Sequence, residues 1–363
     1  MSGVGRRTPL AVALMAALAL MAAVAVEVLL GVPQPASASG DPNAVRPDDR
    51  RLAYEGHWGR TAEAATTVNS GSRLRFRFTG DSVHALFDVA SITVPAQIYE
   101  SVDGGPKRLH AVDRSDLEIT ADGRGPHSLE ISVKDVFSRA NRWTPPLQTG
   151  VVLTGLRLDD GGHLLHQPAR SARKLAFYGD SITQGVMALC EANTSDCADG
   201  TEAYPTLVAD ALRASLTQVG FGRQGVIQTG NGGVPAAPDA YGWNHAGSRA
   251  ESDRRADVIV VNQGTNDAAY GSDEFRGAYR VYLDQLRAAA PHARILALRP
   301  FNGAHADDIT AVVGELADPR IEFVDTTDWL SSAAGDFNGT VHPSTHGHRK
   351  VADRLIALLE KGL

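Results

Sequence analysis

The segment Leu175-Ala176-Phe177-Tyr178-Gly179-Asp180-Ser181-Ile182 closes a short apolar run on a sharp turn and places a serine just beyond it. Open α/β sheets carry their chemistry at the carboxyl ends of their strands, so a serine there is a candidate nucleophile. A serine hydroxyl attacks poorly until a base removes its proton. Attack on an ester carbonyl then creates an oxyanion, which needs donors already aimed at it. Two later segments offer partners. Asp257-Val258-Ile259-Val260-Val261 reads as a second buried strand and continues into Asn262-Gln263-Gly264-Thr265-Asn266-Asp267. Near the C-terminus comes Val341-His342-Pro343-Ser344, whose imidazole titrates near neutral pH. The chain order is Ser181, Asn266, His342.

Taken together, these blocks resemble the SGNH (GDSL-type) hydrolase family. The resemblance implies that Ser181 is the nucleophile, that His342 is the base, and that Asn266 donates to the oxyanion. The backbone N–H of Ser181 and that of a glycine in a further block complete the expected oxyanion hole. We assign that glycine to Gly225 in Phe221-Gly222-Arg223-Gln224-Gly225, with Gly222 and the run Gly230-Asn231-Gly232-Gly233 as competitors. The family usually carries an aspartate three residues before the histidine, and here that position is Gly339. Either His342 works in a Ser-His dyad held by a backbone carbonyl, or a displaced acid such as Asp336 orients it. The triad logic accommodates a dyad, because the third group holds the imidazole and need not take the proton.

Other candidates read as structural. Asp180 and Asp267 suit local hydrogen bonding. His346 and His348 read as structural or solvated. His342 and His346 do not form a zinc pair, because Pro343 follows the first and no third ligand is apparent. No metal or cofactor is expected, since a serine esterase needs neither.

Two kinds of element must position these residues. From about residue 50 to 165, short alternating runs such as Arg73-Leu74-Arg75-Phe76-Arg77-Phe78 and Leu129-Glu130-Ile131-Ser132-Val133-Lys134 lie between Gly- and Asp-rich turns. That pattern predicts a β-sandwich with one polar and one buried face. From 174 onward, apolar strands at 175–178, 258–261, 295–298 and 321–324 alternate with helical stretches at roughly 273–290 and 348–361, the mark of an α/β fold. The expected layout is a signal peptide over 1–38, a flexible leader over 39–49, a jelly-roll-like β-sandwich domain over 50–167, and an SGNH three-layer domain with a central parallel sheet over 172–363. The boundary falls near Gln167-Pro168-Ala169-Arg170. This two-part layout is similar to that of carbohydrate esterase family two, whose members are typically polysaccharide deacetylases and are known for a Ser-His dyad.

The N-terminus supports export. Arg6-Arg7 precede a long apolar run, and Ala36-Ser37-Ala38 forms an A-x-A cleavage pattern, with cleavage expected after Ala38. An uncleaved membrane anchor is the alternative, and a twin-arginine route is weakened by Pro9. In an oxidising compartment Cys190 and Cys197, the two cysteines of the chain, are expected to pair and staple the insertion Ala188 to Gly200. A net charge of −7 without a basic block argues against nucleic acid as a partner. After signal cleavage no membrane contact is expected.

The reading is an exported esterase acting on acetylated polysaccharide or another small ester. Tyr241 or Trp243 could stack on a sugar ring or could anchor their own loop. The alternatives are a lipid-directed esterase or thioesterase, and a carbohydrate-binding protein whose hydrolase domain is inactive. The polysaccharide and the oligomeric state are not legible.

Overall fold

The computed structural model describes residues 41–166, 171–250 and 255–361. The signal segment, its cleavage pattern and the boundary at 167–170 lie outside the described residues. The chain from Asn43 onward forms one compact unit.

Its first part is two six-stranded antiparallel sheets. In one, Val151–Leu158 pairs with Ser82–Phe87 and with Ala65–Thr67. In the other, Pro126–Asp135 runs between Arg73–Thr79 and Gln97–Val102. Each strand turns alternate side chains to a shared core, including Leu74, Phe76 and Phe78 from one sheet and Val83, Ala85 and Leu156 from the other. Ala44–Val45 falls within the expected leader but adds an edge strand, pairing with Arg157 and Leu156. Val45 reaches the sandwich core, and that burial holds the segment.

The second part is a five-stranded parallel sheet in the order Ser215–Gly220, Lys174–Gly179, Val258–Asn262, Arg294–Leu298, Ile321–Val324. Parallel strands covered on both faces read as continuous apolar runs, and all five residues of Val258–Asn262 are buried. Ala176 and Tyr178 face the helix Ser272–Ala289, which buries Phe275, Tyr279, Leu283 and Leu286 at helical spacing. Leu175 and Phe177 face the other way, toward the helix Thr345–Glu360 with Val351, Leu355 and Leu359. Ser344 caps that helix by accepting from the Gly347 N–H at 3.2 Å.

The two parts are joined by polar contacts. Arg73 forms a two-pronged ion pair with Asp210, and Gly220 N–H donates to Asn69 Oδ1 at 3.3 Å. Among the described residues no helix is long and apolar enough to cross a membrane.

Candidate active site

The strand Lys174–Gly179 delivers Ser181 to the first position of a single helical turn, Ser181–Gln184. Asp180 caps that turn, its Oδ1 accepting from the Ile182 N–H at 2.8 Å. The serine is therefore fixed by the carboxyl end of a central strand and by a cap, with little freedom to move. Burial pushes the Asp180 carboxyl up to about 7, against the hydrogen bonds from Ile182 and Thr265. At that value much of it is uncharged near neutrality, which lessens repulsion toward a negative charge developing beside Ser181.

His342 arrives from the opposite side on a two-stranded ribbon in which Asn338 pairs with His342 and Phe337 with Pro343. Its Nε2 lies 2.9 Å from Ser181 Oγ. That is hydrogen-bond distance, so the hydroxyl can hand its proton directly to the imidazole. Burial holds the His342 pKa below the usual 6.5, which keeps the ring neutral at pH 7 and able to accept. Among the described residues no carboxylate is hydrogen-bonded to His342.

The structure does not bring Asp336 to His342. Its buried carboxylate accepts from Lys350 Nζ at 2.6 Å and from the Ser331 N–H at 2.8 Å, and lies 3.4 Å from His346 Nε2. Gly339 explains the divergence. It has φ +71° inside the ribbon's turn, a left-handed conformation that favours glycine over a residue with a Cβ. The ribbon carries Asp336 away from the imidazole and into the base of the C-terminal helix.

Asn266 sits in the turn Thr265–Asp267 that follows the strand Val258–Asn262. It lines the same cleft as Ser181 and His342. Its Nδ2 donates to the Gln224 carbonyl at 3.0 Å and lies 3.3 Å from Asp180 Oδ2. The first contact orients the amide, and the second is long enough to yield to a better acceptor.

Gly225 lies elsewhere. Its N–H donates to the Gln228 carbonyl at 2.9 Å. A Cβ at this position would run into the Asp267 carboxylate, which accepts from Val226, Ile227 and Gln228 N–H at 2.8, 3.1 and 2.9 Å. Glycine at 225 thus permits the close approach of a loop wrapped on Asp267. Gly222 and Arg223 line the cleft instead. Gly222 N–H is taken by Gln184 Oε1 at 3.0 Å, an oxygen also bonded by the buried Arg142 at 3.0 Å. The backbone N–H groups of Ser181 and Arg223 meet no acceptor among the described residues.

Sequence reasoning missed other parts of the cleft. Ser138 enters from the sandwich half, Asn193 from the loop closed by the Cys190–Cys197 disulfide, and Asn231 from the glycine run. No side-chain hydrogen bond joins these three to another described residue. Nothing local marked Ser138 and Asn193, and Asn231 stood out only by its glycine neighbours. Tyr241 and Trp243 are not at the cleft. Tyr241 packs edge-on against Tyr178 and Tyr282, and Arg249 stacks over Trp243, so both anchor their own loop. His348 is buried and stacks on Tyr204, while His346 is exposed. Among the described residues no cluster of three or more His, Cys, Asp or Glu could hold a metal ion.

Residues 177–350 match the GDSL-like Lipase/Acylhydrolase family. No curated protein matches the chain by sequence. Solved structures do. A family two carbohydrate esterase from Clostridium thermocellum, in complex with cellohexaose, superposes with a TM-score of 0.72 at 22% identity, covering 86% of this chain and 98% of that one. A family two carbohydrate esterase from Cellvibrio japonicus gives 0.74 at 21% identity, with 88% and 97% covered. An acetyl xylan esterase from the rumen bacterium Butyrivibrio proteoclasticus gives 0.68 at 18% identity, with 86% and 96% covered. At such identities the likeness is one of fold, and it extends over both the sandwich and the parallel-sheet halves. With the family match over 177–350 and the serine set against a neutral histidine, the C-terminal part of this chain is a carboxylic ester hydrolase similar to the GDSL-like lipases and acylhydrolases, behind a β-sandwich.

Proposed function

We propose that the protein is an exported serine esterase that removes O-acetyl groups from a polysaccharide. One observation carries this reading: Ser181 Oγ and His342 Nε2 stand 2.9 Å apart in a cleft of about 200 Å³ whose lining includes only two aliphatic side chains among serine, asparagine, arginine and histidine residues. Ser138, Asn193 and Asn231 offer hydroxyl and amide groups of the kind that bind sugar hydroxyls. Val186 and Val341 are the apolar side chains of the lining, enough to seat a methyl group. A long acyl chain would need far more apolar wall.

His342 takes the Ser181 proton as Oγ attacks the acetyl carbonyl. The oxyanion is met by the Ser181 N–H, the Arg223 N–H and the Asn266 amide, which gives up its long contact to Asp180. The tetrahedral intermediate collapses, and the sugar oxygen leaves with the proton from His342. Water then loses a proton to His342 and attacks the acetyl-Ser181 carbonyl. Acetate departs, and the proton returns to Ser181. Among the described residues no acid stands on its other nitrogen, and burial disfavours the imidazolium, so a modest turnover is expected.

Export is inferred from the apolar N-terminal run and Ala36-Ser37-Ala38, and a disulfide accords with an oxidising compartment. The family two relative holding cellohexaose supports a glycan as the partner.

The test uses the chain from Ser39 and its Ser181→Ala variant. Hydrolysis of aryl acetate is compared with that of aryl octanoate, and acetate release is followed from acetylated xylan and glucomannan. Acetate preference with polymer deacetylation, lost in Ser181→Ala by about 10⁴-fold or more, is expected. Octanoate preference would move the protein to the lipid-directed class. No turnover of any ester would revive an inactive binding protein.

A further inference from the structure

We infer that Lys134, on the sandwich strand Pro126–Asp135, is a positioning residue for the substrate: it holds the disulfide-closed loop 190–197 so that Asn193 faces the bound glycan. This inference rests on the polysaccharide reading above.

The clamp is built in detail. Lys134 is 2% exposed. Its ammonium donates to Gln97 Oε1 at 2.7 Å, to the Ser195 carbonyl, and to the Ala198 carbonyl at 2.8 Å. An ammonium has three N–H groups, and these acceptors use all of them. A buried charge is tolerable only when it is bonded this way, so the loop carbonyls and the lysine need one another. Gln97 turns its own Nε2 to Asp196 Oδ1 at 2.8 Å, and Gly200 N–H donates to the Lys134 carbonyl at 2.8 Å. One side of the loop is thus tied to two adjacent sandwich strands.

The loop transmits that placement because it is closed. Cys190 and Cys197 are bridged, and Leu189 N–H donates to the Cys197 carbonyl at 2.9 Å. Asn193 lies at the middle of this ring, half-buried and lining the cleft, with no side-chain hydrogen bond to another described residue. An amide presented to the cleft without a protein partner is suited to a hydroxyl of the leaving sugar. A purely structural lysine would also be buried and bonded. It would not, however, act through Asn193.

Double-mutant cycles separate the two roles. Asn193→Ala is expected to lower kcat/KM on acetylated xylan by about 3- to 10-fold, chiefly through KM, as loss of one hydrogen bond implies. Lys134→Met should give a loss of the same size on the polymer, with kcat on aryl acetate within about twofold of the parent. In the Asn193→Ala background, Lys134→Met should add nothing further. Gln97→Ala, at a partly exposed position, carries the same coupling test if Lys134→Met does not fold. Additive losses, or equal losses on polymer and aryl acetate, would overturn the inference, as would an Asn193→Ala variant with unchanged polymer kinetics. A parent enzyme that hydrolyses aryl acetate but no acetylated polysaccharide would instead overturn the substrate reading, and the role of Asn193 with it.

Discussion

The two sides of the cleft are built differently. The serine side is part of the parallel sheet. Ser181 follows a central strand, Asp180 caps its turn, and Asp267 gathers three backbone N–H groups from the neighbouring loop. The histidine side hangs on a two-stranded ribbon outside the sheet. Asn338, paired with His342, donates through Nδ2 to the Met187 and Ala188 carbonyls at 2.7 and 3.1 Å. Thr345 N–H adds a bond to the same Ala188 carbonyl at 2.9 Å. So the proposed nucleophile is placed by main-chain hydrogen bonds of a sheet, while the proposed base is placed largely by one asparagine reaching the loop after Ser181. Where a conventional triad fixes its histidine through an acid, this chain fixes the strand that bears it.

That contrast can be broken by substitution. On the serine side, Asn266→Ala removes the proposed oxyanion donor and should lower kcat on aryl acetate by about 10²- to 10³-fold. Retention of full activity would mean that the backbone N–H groups suffice. On the histidine side, Asn338→Ala frees the ribbon, and kcat should fall about tenfold with KM little changed, because small misplacements of a reacting group are costly. No loss would show that packing alone places His342.

Asp336→Ala sharpens the contrast from the other direction. The carboxylate bonds Lys350 and Ser331, so the variant should keep kcat within about threefold. It should lose roughly 1–3 kcal/mol of stability, because two hydrogen bonds to a charged, buried carboxylate are removed. Denaturant unfolding read beside aryl acetate kinetics checks both. A thousandfold loss of kcat would make Asp336 the orienting acid and erase the difference between the two sides.

The smallest effect is one of pH. Burial lowers the pKa of His342 below 6.5, so kcat/KM should hold down to about pH 6.5 and fall as the ring protonates at some lower pH. Burial likewise takes His57 to about 4, and takes His348 to about 3 with His342 adding to the shift. The unfolded chain binds these protons near pH 6.5 and the folded chain resists them. Stability from these two groups is therefore complete above 6.5 and is lost as pH falls toward 4 and below. A melting temperature that did not decline between pH 6.5 and 4 would show that His57 and His348 are more accessible than their burial indicates.

The sequence alone determined a good deal. Short-range periodicity marks a strand or a helix because side-chain direction repeats every two or 3.6 residues. Hence Arg73–Phe78 read as half-buried, Val258–Val261 as wholly buried, and Phe275 to Leu286 as one helix face. The order of Ser181, Asn266 and His342 pointed to a hydrolase, and Gly339 flagged the absent acid.

Only the tertiary structure decided what each chemical group faces. Gly225 and Gly222 are alike as letters, but one makes room for the Asp267 carboxylate and the other lines the cleft. Asp336 is six residues from His342 in sequence, yet the ribbon between them sends its carboxylate to Lys350. Tyr241 and Trp243 went to their own loop, Ala44–Val45 to the sandwich edge. Ser138, Asn193 and Lys134 gain their places through contacts between segments that periodicity cannot relate. Local pattern fixes the direction of a side chain relative to its own backbone, and the docking of separate elements fixes which site that direction meets.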